Sequence, residues 1–413
     1  MFKITSLNSF SVGLKIGIGL ITSKILAVFV GPGGMALVGN LRNFLTSLES
    51  ISTLGFQNGI VKYVAESQKN KSEFQKILAT VFISLLTVAI ILSFVLYFFA
   101  TFWNDKIFNN HFDFSIVFRV LALALPWYAV SVFLLAVLNG LSQFKKVIWI
   151  NIIGNLIGLL ASVFMILQFK TLGALLAIVI TPALLFFVTF YFLNKEINFL
   201  GSIRLHLFDF KIIKNLSSYS LMALISSVFG PIVFLAIRNN VIQELGIDQA
   251  GFWETITRIS SYYLMFVSTI LTVYFLPKLS VAQNNQETKT IFWRFYKSIL
   301  PVFILGVIVI YFARFFIIQL LFTKEFLPVT SLFIWQLTGD VFKVASLILG
   351  YNFFAKKLTK AFIFFEIFSL SLLYVSSIVF IKYYGIQGVV MAQAFDNLVY
   401  FSALCLYFRK SLF

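Results

Sequence analysis

Charged and metal-binding side chains are scarce in this sequence of 413 residues. Only 11% of its residues are charged and 60% are hydrophobic, whereas a typical soluble domain has about 25% charged residues. This composition excludes a soluble enzyme, a disordered chain and a fibrous protein. Cys405 is the single cysteine, which excludes an internal disulfide and a cysteine-based metal cluster. The two histidines argue against a histidine-built metal site. We therefore predict a polytopic membrane protein that needs no metal and no cofactor.

Long apolar stretches, by contrast, are abundant. A helix needs about 20 mostly apolar residues to cross a bilayer, and the stretches found here lack the alternating pattern of a membrane barrel. We predict twelve spans, at residues 9–30, 35–61, 77–103, 116–138, 147–169, 172–193, 215–237, 249–276, 298–321, 327–354, 361–381 and 386–408. Residues 1–30 are expected to remain as the first span, because Lys15 interrupts the apolar stretch and no small-residue cleavage site follows.

The positions of lysine and arginine predict the orientation. If both termini lie in the cytoplasm, 20 of the 32 basic residues fall in cytoplasmic segments, and most of the net charge of +17 is a topology signal. It does not call for a nucleic-acid partner. Five basic residues then lie on the opposite side, namely Lys106, Lys170, Arg238, Lys324 and Lys382.

The two halves of the chain resemble each other. We predict an N-terminal six-helix bundle at 1–200, a cytoplasmic linker at 201–214 and a C-terminal six-helix bundle at 215–413. Six spans per half give a parallel repeat about a pseudo-twofold axis along the membrane normal, with a substrate route at the seam. The matching positions are Arg42 with Arg258 and Lys62 with Lys278 at a shift of 216, residues 145–146 with 356–357 at 211, and residues 172–175 with 387–390 at 215.

Charged residues also occur inside the predicted spans, where each costs about 2.5–3.5 kcal/mol at the bilayer centre. Basic residues exceed acidic ones by two, which predicts a cavity that binds an anion. The basic residues are Lys15, Lys24, Arg42, Arg119, Arg258, Arg314 and Lys343, and the acidic ones are Glu49, Glu254, Asp340, Glu366 and Asp396.

Helical spacing sorts these residues into sets. Lys15 and Lys24 lie nine residues apart, on opposite faces of an ideal helix. Glu366 and Asp396 each stand alone in an apolar helix and are the better proton-site candidates. Arg119 and Arg314 lie near span ends and are expected to snorkel. Three sets share a helix face, namely Arg42 with Glu49, Glu254 with Arg258, and Gln336 with Asp340 and Lys343. The last two sets also fit purely structural ion pairs.

Several segments resemble the bacterial O-antigen and lipid III flippases of the multidrug/oligosaccharidyl-lipid/polysaccharide exporter superfamily. The most specific is WQLTGDVFKV at 335–344, which keeps polar residues in a membrane helix. The other segments are LKIG at 14–17, KILAV at 24–28, GPG at 31–33, NLR at 40–42, NGIVKYVA at 58–65, GY at 350–351 and AK at 355–356. Residues 100–210 carry no motif of this kind.

This resemblance implies two six-helix bundles around a cationic cavity that moves undecaprenyl-pyrophosphate-linked oligosaccharide between leaflets, usually by ion-coupled antiport. The pyrophosphate-binding candidates are Lys15, Lys24, Arg42, Arg258 and Lys343, of which Arg258 rests on the repeat alone. The candidates for proton or ion coupling are Asp340, Glu366, Asp396 and Glu49. The implied partners are the lipid-linked oligosaccharide and membrane lipid, with the polysaccharide polymerase and the chain-length regulator as candidate protein partners.

Two other functions stay open at this stage. One is a drug or lipid II exporter of the same architecture, although a neutral or cationic drug does not call for a net-positive interior. The other is a membrane polymerase or glycosyltransferase that acts on lipid-linked sugars. Such enzymes need a sizeable outer loop or a soluble acidic domain, whereas the longest outer loops predicted here are 104–115 and 238–248.

Overall fold

Long apolar helices make up the protein, and the computed structural model describes residues 2–109 and 112–412. In the first half of the chain they are α1 (Phe2–Phe29), α2 (Gly31–Ser52), α3 (Gln57–Ser67), α4 (Lys71–Phe98), α5 (Ala100–Phe108), α6 (Ser115–Gly140), α7 (Phe144–Asn194) and α8 (Phe199–Ser202). In the second half they are α9 (Phe210–Leu245), α10 (Ile247–Ile270), α11 (Leu276–Val281), α12 (Asn285–Leu321), α13 (Phe333–Ala355), α14 (Thr359–Tyr384), α15 (Ile386–Tyr407) and α16 (Arg409–Leu412).

Ten stretches within the described residues are long and apolar enough to cross a membrane. One of them, α7, breaks at Lys170 (φ 50°, ψ −123°), between the predicted spans 147–169 and 172–193. The helix α2 is not among the ten, because its glycine, serine and charged residues lower its mean hydropathy. The predicted all-α polytopic membrane protein is confirmed.

Three details of the predicted spans are wrong. The span 77–103 crosses a helix end, because α4 ends at Phe98 and α5 begins at Ala100. The span 35–61 is not one helix, because α2 ends at Ser52 and the turn before α3 places Leu54 (φ 52°) and Gly55 (φ 62°) in the left-handed region. Arg238 was assigned to a loop, but α9 continues to Leu245 and buries this side chain. Hydropathy alone located none of these boundaries, since apolar residues continue past Ser52 and Phe98, and α9 continues through the polar residues 238–240.

The turn between α6 and α7 has the same backbone structure as the turn between α13 and α14. The amide of Gln143 donates to the carbonyl of Leu138 at 3.0 Å, and the amide of Leu358 donates to Phe353 at 2.8 Å, which is the same bond 215 residues later. Ser142 (φ 60°) and Lys357 (φ 54°) occupy the same left-handed position in the two turns. The sequence pairing of 145–146 with 356–357 at a shift of 211 is therefore wrong, because the backbone register in this region is 215.

The next pair of turns keeps the register of 215. Lys170 (φ 50°, ψ −123°) and Gly385 (φ 58°, ψ −138°) have nearly the same backbone conformation. Three residues later, a Cβ added to Gly173 would lie 1.9 Å from the carbonyl oxygen of Met165, and one added to Gly388 would lie 2.2 Å from that of Phe380. The sequence match of 172–175 with 387–390 thus marks two tight helix hairpins in which only glycine fits.

The chain divides into two compact units. The first contains the residues up to Val30 together with Asn40–Leu235, and the second contains Gly31–Gly39 and the residues from Ala236 onward. These units group residues by proximity. They are not the predicted partition at 201–214, which stays a prediction.

Aromatic packing fixes the segment after α7 to the first unit. The ring of Phe199 lies 5.6 Å from Phe82, 6.1 Å from Phe133 and 6.3 Å from Phe190, between ring centroids. The backbone amide of Asp209 donates to the hydroxyl of buried Thr80 at 3.0 Å. The segment predicted to be a linker is therefore packed against α4.

Candidate functional site

In the first unit, α2 presents a charged face to a pocket of about 170 Å³. Arg42 and Glu49 both line it, which confirms that they share one helix face, and residues of α6 and α7 complete the walls. Arg42 is exposed and Glu49 is half-buried. Tyr128 on α6 lines the same pocket and interacts electrostatically with Glu49. A cation and an acid are thus held in one cavity inside otherwise apolar helices.

A second pocket of about 170 Å³ shares Glu49 and Thr46 with the first. Its lining is polar and comes from the end of α2, the turn at 53–56, the start of α3 and the α9 residues Ala223 and Ser227. Gln57 and Asn58 contribute side-chain amides, which both donate and accept hydrogen bonds. Such groups suit the hydroxyls of a sugar or the oxygens of a phosphate.

Lys15 and Lys24 lie on one uninterrupted helix, α1. A separation of nine residues places them on opposite faces, at about 100° per residue. Lys15 is exposed and Lys24 is half-buried. Lys15 and Lys24 therefore lie on opposite faces of α1, and their assignment to one pyrophosphate stays a prediction.

The second unit buries a triad of charges. Glu254 on α10 accepts hydrogen bonds from Arg238 at 2.8 Å and from Arg258 at 3.4 Å. Arg238 is 1% exposed and also stacks on Trp253, with 5.1 Å between guanidinium and ring centroid. The predicted i,i+4 pair of Glu254 and Arg258 is confirmed. The expectation that Arg258 binds pyrophosphate stays a prediction, but its guanidinium is engaged by a carboxylate.

The backbone of α2 reaches this triad at Gly39. A Cβ at that position would lie 2.4 Å from Oε2 of Glu254, so only glycine admits the carboxylate so close to the helix. Residues 31–39 and 236–258 thus meet over a buried ionic group within the second unit.

Asp340 is the most enclosed acid among the predicted site residues. It is fully buried and accepts hydrogen bonds from Ser260 at 2.6 Å, from Tyr263, and from Gln336 at 3.2 and 3.3 Å to its two oxygens. The predicted stripe of Gln336, Asp340 and Lys343 is confirmed, since Lys343 interacts electrostatically with Asp340. These bonds tie α13 to α10.

Lys343 also interacts with a second buried carboxylate, that of Asp396. Asp396 on α15 is 5% exposed and accepts hydrogen bonds from Ser369 at 3.0 Å to each oxygen. Lys343 and Glu366 both interact electrostatically with Asp396. The structure therefore brings together four of the predicted residues, Asp340, Lys343, Glu366 and Asp396, in the second unit.

Sequence reasoning missed five partners of these acids, among them Ser260 on Asp340 and Ser369 on Asp396. Tyr128, Tyr263 and Arg238 contact Glu49, Asp340 and Glu254 from a different helix in each case. Tyrosine gives no signal by itself, because the sequence contains 16 tyrosines and a phenol ring can simply pack in an apolar helix or face lipid. Arg238 gave a weak signal, since a basic residue at the end of a span is usually topogenic.

The chain is similar to proteins of a known family. The model of the polysaccharide biosynthesis protein family matches residues 2–283, and the chain belongs to this family. Two similar proteins are the lipid III flippases of Escherichia coli (strain K12) and Shigella flexneri. Each is 31% identical over 396 residues, which cover 95% of this chain and 94% of the flippase.

Solved structures share the fold at low identity. An inward-facing multidrug resistance MATE family transporter of the MOP superfamily has a TM-score of 0.83 at 15% identity, covering 95% of this chain and 94% of that one. The lipid II flippase MurJ, in an inward closed conformation, has a TM-score of 0.70 at 16% identity, covering 99% and 88%. This chain therefore has the fold of the MOP superfamily and is a multi-pass membrane protein.

Proposed function

We propose that this protein is a flippase that moves undecaprenyl-pyrophosphate-linked oligosaccharide from the cytoplasmic to the periplasmic leaflet of the bacterial inner membrane. The observation that carries the proposal is the 31% identity to lipid III flippases over 95% of the chain. The cargo includes O-antigen repeat units as a candidate, and both termini lie in the cytoplasm, as the basic residues indicate. No bond is made or broken, so the protein is not an enzyme.

The pocket of Arg42 and Glu49 supports this function. A guanidinium binds phosphate oxygens through two parallel hydrogen bonds, so Arg42 suits a pyrophosphate better than a neutral drug. The adjoining amides and hydroxyls suit the sugars. Lys24 is the second cation that we assign to the pyrophosphate. Because the cytoplasmic side of the membrane is electrically negative, moving each negative charge of the cargo outward is favourable by about 2.3 kcal/mol per 100 mV.

Replacing Arg42 by alanine is expected to slow flipping about tenfold or more, because a hydrogen bond to a charged group contributes about 1.5–3 kcal/mol. Arg42→Lys should flip faster than Arg42→Ala but slower than the natural protein, because lysine keeps the positive charge and loses the two parallel hydrogen-bond donors of the guanidinium. The measurement is the accessibility of a lipid-linked oligosaccharide to an external lectin in proteoliposomes. Arg119→Ala is the matched control, because Arg119 is also exposed and near a span end in the same unit. Equal rates for both alanine variants would remove Arg42 from the site.

The same assay separates the alternatives. A polymerase or glycosyltransferase changes the sugar chain length, which mass spectrometry detects, whereas a flippase changes only the leaflet. A drug exporter would leave the oligosaccharide in place and move a cationic dye instead. Pull-down of the polysaccharide polymerase and the chain-length regulator would test those two partners.

Ion coupling is assigned to the acids of the second unit, with Asp396 first. Asp340 is held by three donors, which suits a permanent charge, whereas Asp396 has one serine and a neighbouring acid, Glu366. Asp396→Asn is therefore expected to abolish the dependence of flipping on an imposed pH gradient, and Glu366→Gln to weaken it. Asp340→Asn and Glu49→Gln are the comparison variants. Unchanged gradient dependence in all four would remove these carboxylates as proton carriers.

A further inference from the structure

An apolar groove of about 270 Å³ runs between α10 and α12. Phe266 and Ile270 form one wall, and Val302 and Phe303 form the other. The groove exists partly because Gly306 has no side chain and no atom lies within 4 Å of where its Cβ would be. Pro301 in the middle of α12 also removes a helical hydrogen bond.

A basic cluster lies next to one end of this groove. Ile270 and Ser298 line that end, and Tyr274 and Arg294 lie four residues away from them along the chain. The hydroxyl oxygen of Tyr274 accepts hydrogen bonds from Lys278 at 2.6 Å and from Arg294 at 3.4 Å. We call Tyr274, Lys278 and Arg294 the cationic cap. Lys278 and Arg294 keep their positive charges in this contact, because the phenol of Tyr274 is a neutral group.

The groove matches one leaflet in length. From Ser298 to Ile310 it follows thirteen residues of α12, whose twelve rises of 1.5 Å give about 18 Å. One leaflet contributes about half of the roughly 30 Å of hydrocarbon. An apolar slot of this length with cations at its mouth fits an amphiphile that has an anionic head and a hydrocarbon chain.

We propose that the groove and the cationic cap form one binding site for an anionic phospholipid, whose phosphate contacts Lys278 and Arg294 and whose acyl chain lies between α10 and α12. Lys278 and Arg294 of the cap belong to the basic segment 278–297, which also contains Lys289 and Lys297. Under the proposed orientation this segment lies on the cytoplasmic side, where anionic lipids attract basic pockets between helices. An undecaprenyl chain is far longer than this groove, which favours a phospholipid over the transported lipid.

Native mass spectrometry of the full chain in non-ionic detergent tests the site with phosphatidylglycerol and phosphatidylcholine. The variant Lys278→Gln/Arg294→Gln should bind phosphatidylglycerol about 30-fold more weakly, from the attraction of two basic residues to an anionic lipid. Its binding of phosphatidylcholine, in which choline offsets the phosphate charge, should weaken much less. Lys69→Gln/Lys71→Gln removes the same charge from exposed positions of the first unit and should leave binding unchanged.

The groove is tested separately by Gly306→Leu, which fills it, against Val309→Phe, which adds bulk to an exposed position of α12 outside the groove. Only Gly306→Leu should weaken binding, and only for lipids with long chains. Because one lipid contacts both parts, the combined cap and groove variants should lose less than the product of the separate losses.

Three results would overturn the proposal. The first is equal binding of the two phospholipids by the natural protein, and the second is unchanged phosphatidylglycerol binding in the cap variant. The third is displacement of phosphatidylglycerol by an equimolar undecaprenyl-pyrophosphate lipid, which would assign the groove to the cargo. If Gly306→Leu does not fold, phosphatidylglycerol binding by the Lys278→Gln/Arg294→Gln variant is sufficient to test the proposal. Flipping is not measured, so failure here leaves the proposed transport function untouched.

Discussion

Glu254→Gln is expected to lower the free energy of unfolding by about 3–5 kcal/mol, because it removes the carboxylate from a buried charge triad. Arg238 and Arg258 are 1% and 4% exposed and are bonded to that carboxylate at 2.8 and 3.4 Å. Glutamine keeps the shape and one acceptor but leaves two guanidinium groups close together in a low-dielectric region. The midpoint of chemical or thermal unfolding in detergent measures the change.

The matched control for Glu254 is the exposed pair of Lys62 and Glu66. These residues also have i,i+4 spacing, but their side chains are 42% and 59% exposed and 3.8 Å apart. Glu66→Gln should change stability by less than about 1 kcal/mol, as is usual for surface ion pairs. If both glutamine variants lose equally little stability, the triad does not hold α9 and α10 together, and Arg238 and Arg258 become available for another role.

Gly388→Ala is expected to lower the free energy of unfolding by about 3 kcal/mol. The added Cβ would lie 2.2 Å from the carbonyl oxygen of Phe380, 2.3 Å from its carbonyl carbon and 2.7 Å from the amide nitrogen of Ile381. All three are backbone atoms, so no side-chain rotation relieves the clash, and α14 and α15 must separate. Overpacking of this kind typically costs about 1–3 kcal/mol and sometimes more.

Two further glycines make this prediction specific. Gly173→Ala should destabilise to a similar degree, because its Cβ would lie 1.9 Å from the carbonyl oxygen of Met165 in the corresponding hairpin. Gly350→Ala has no atom within 4 Å of the new Cβ and should be neutral or slightly stabilising, since alanine is the better helix former. Equal unfolding midpoints for all three variants would contradict the proposed role of the two hairpin glycines.

Part of the candidate site follows from spacing along one helix. Arg42 and Glu49 are seven residues apart, and Gln336 and Asp340 are four apart, so a continuous helix places each pair on one face. Both pairs are found as predicted. Charged residues are costly inside apolar helices. Their presence there is therefore what singled these side chains out as candidate site residues.

The partners from other helices did not follow from spacing. Tyr263 and Asp340 are 77 residues apart, and Arg238 and Glu254 are separated by a helix end at Leu245. Such contacts depend on how two helices cross and rotate, which hydropathy does not encode. The pairing of 145–146 with 356–357 was wrong for a related reason. Both segments are lysine pairs near a helix end, but residues 145–146 lie in the first turn of α7 whereas residues 356–357 lie in the turn after α13.

The sequence by itself determined that this is an all-helical membrane protein and which helices carry charge, because apolar length and polar interruptions are local properties. The tertiary structure alone decided that Arg238 is bonded to Glu254, that Tyr263 is bonded to Asp340, and that Gly173 and Gly388 admit no side chain. Those outcomes depend on distances between backbones, and distance across a helix interface is set by all the packed side chains together.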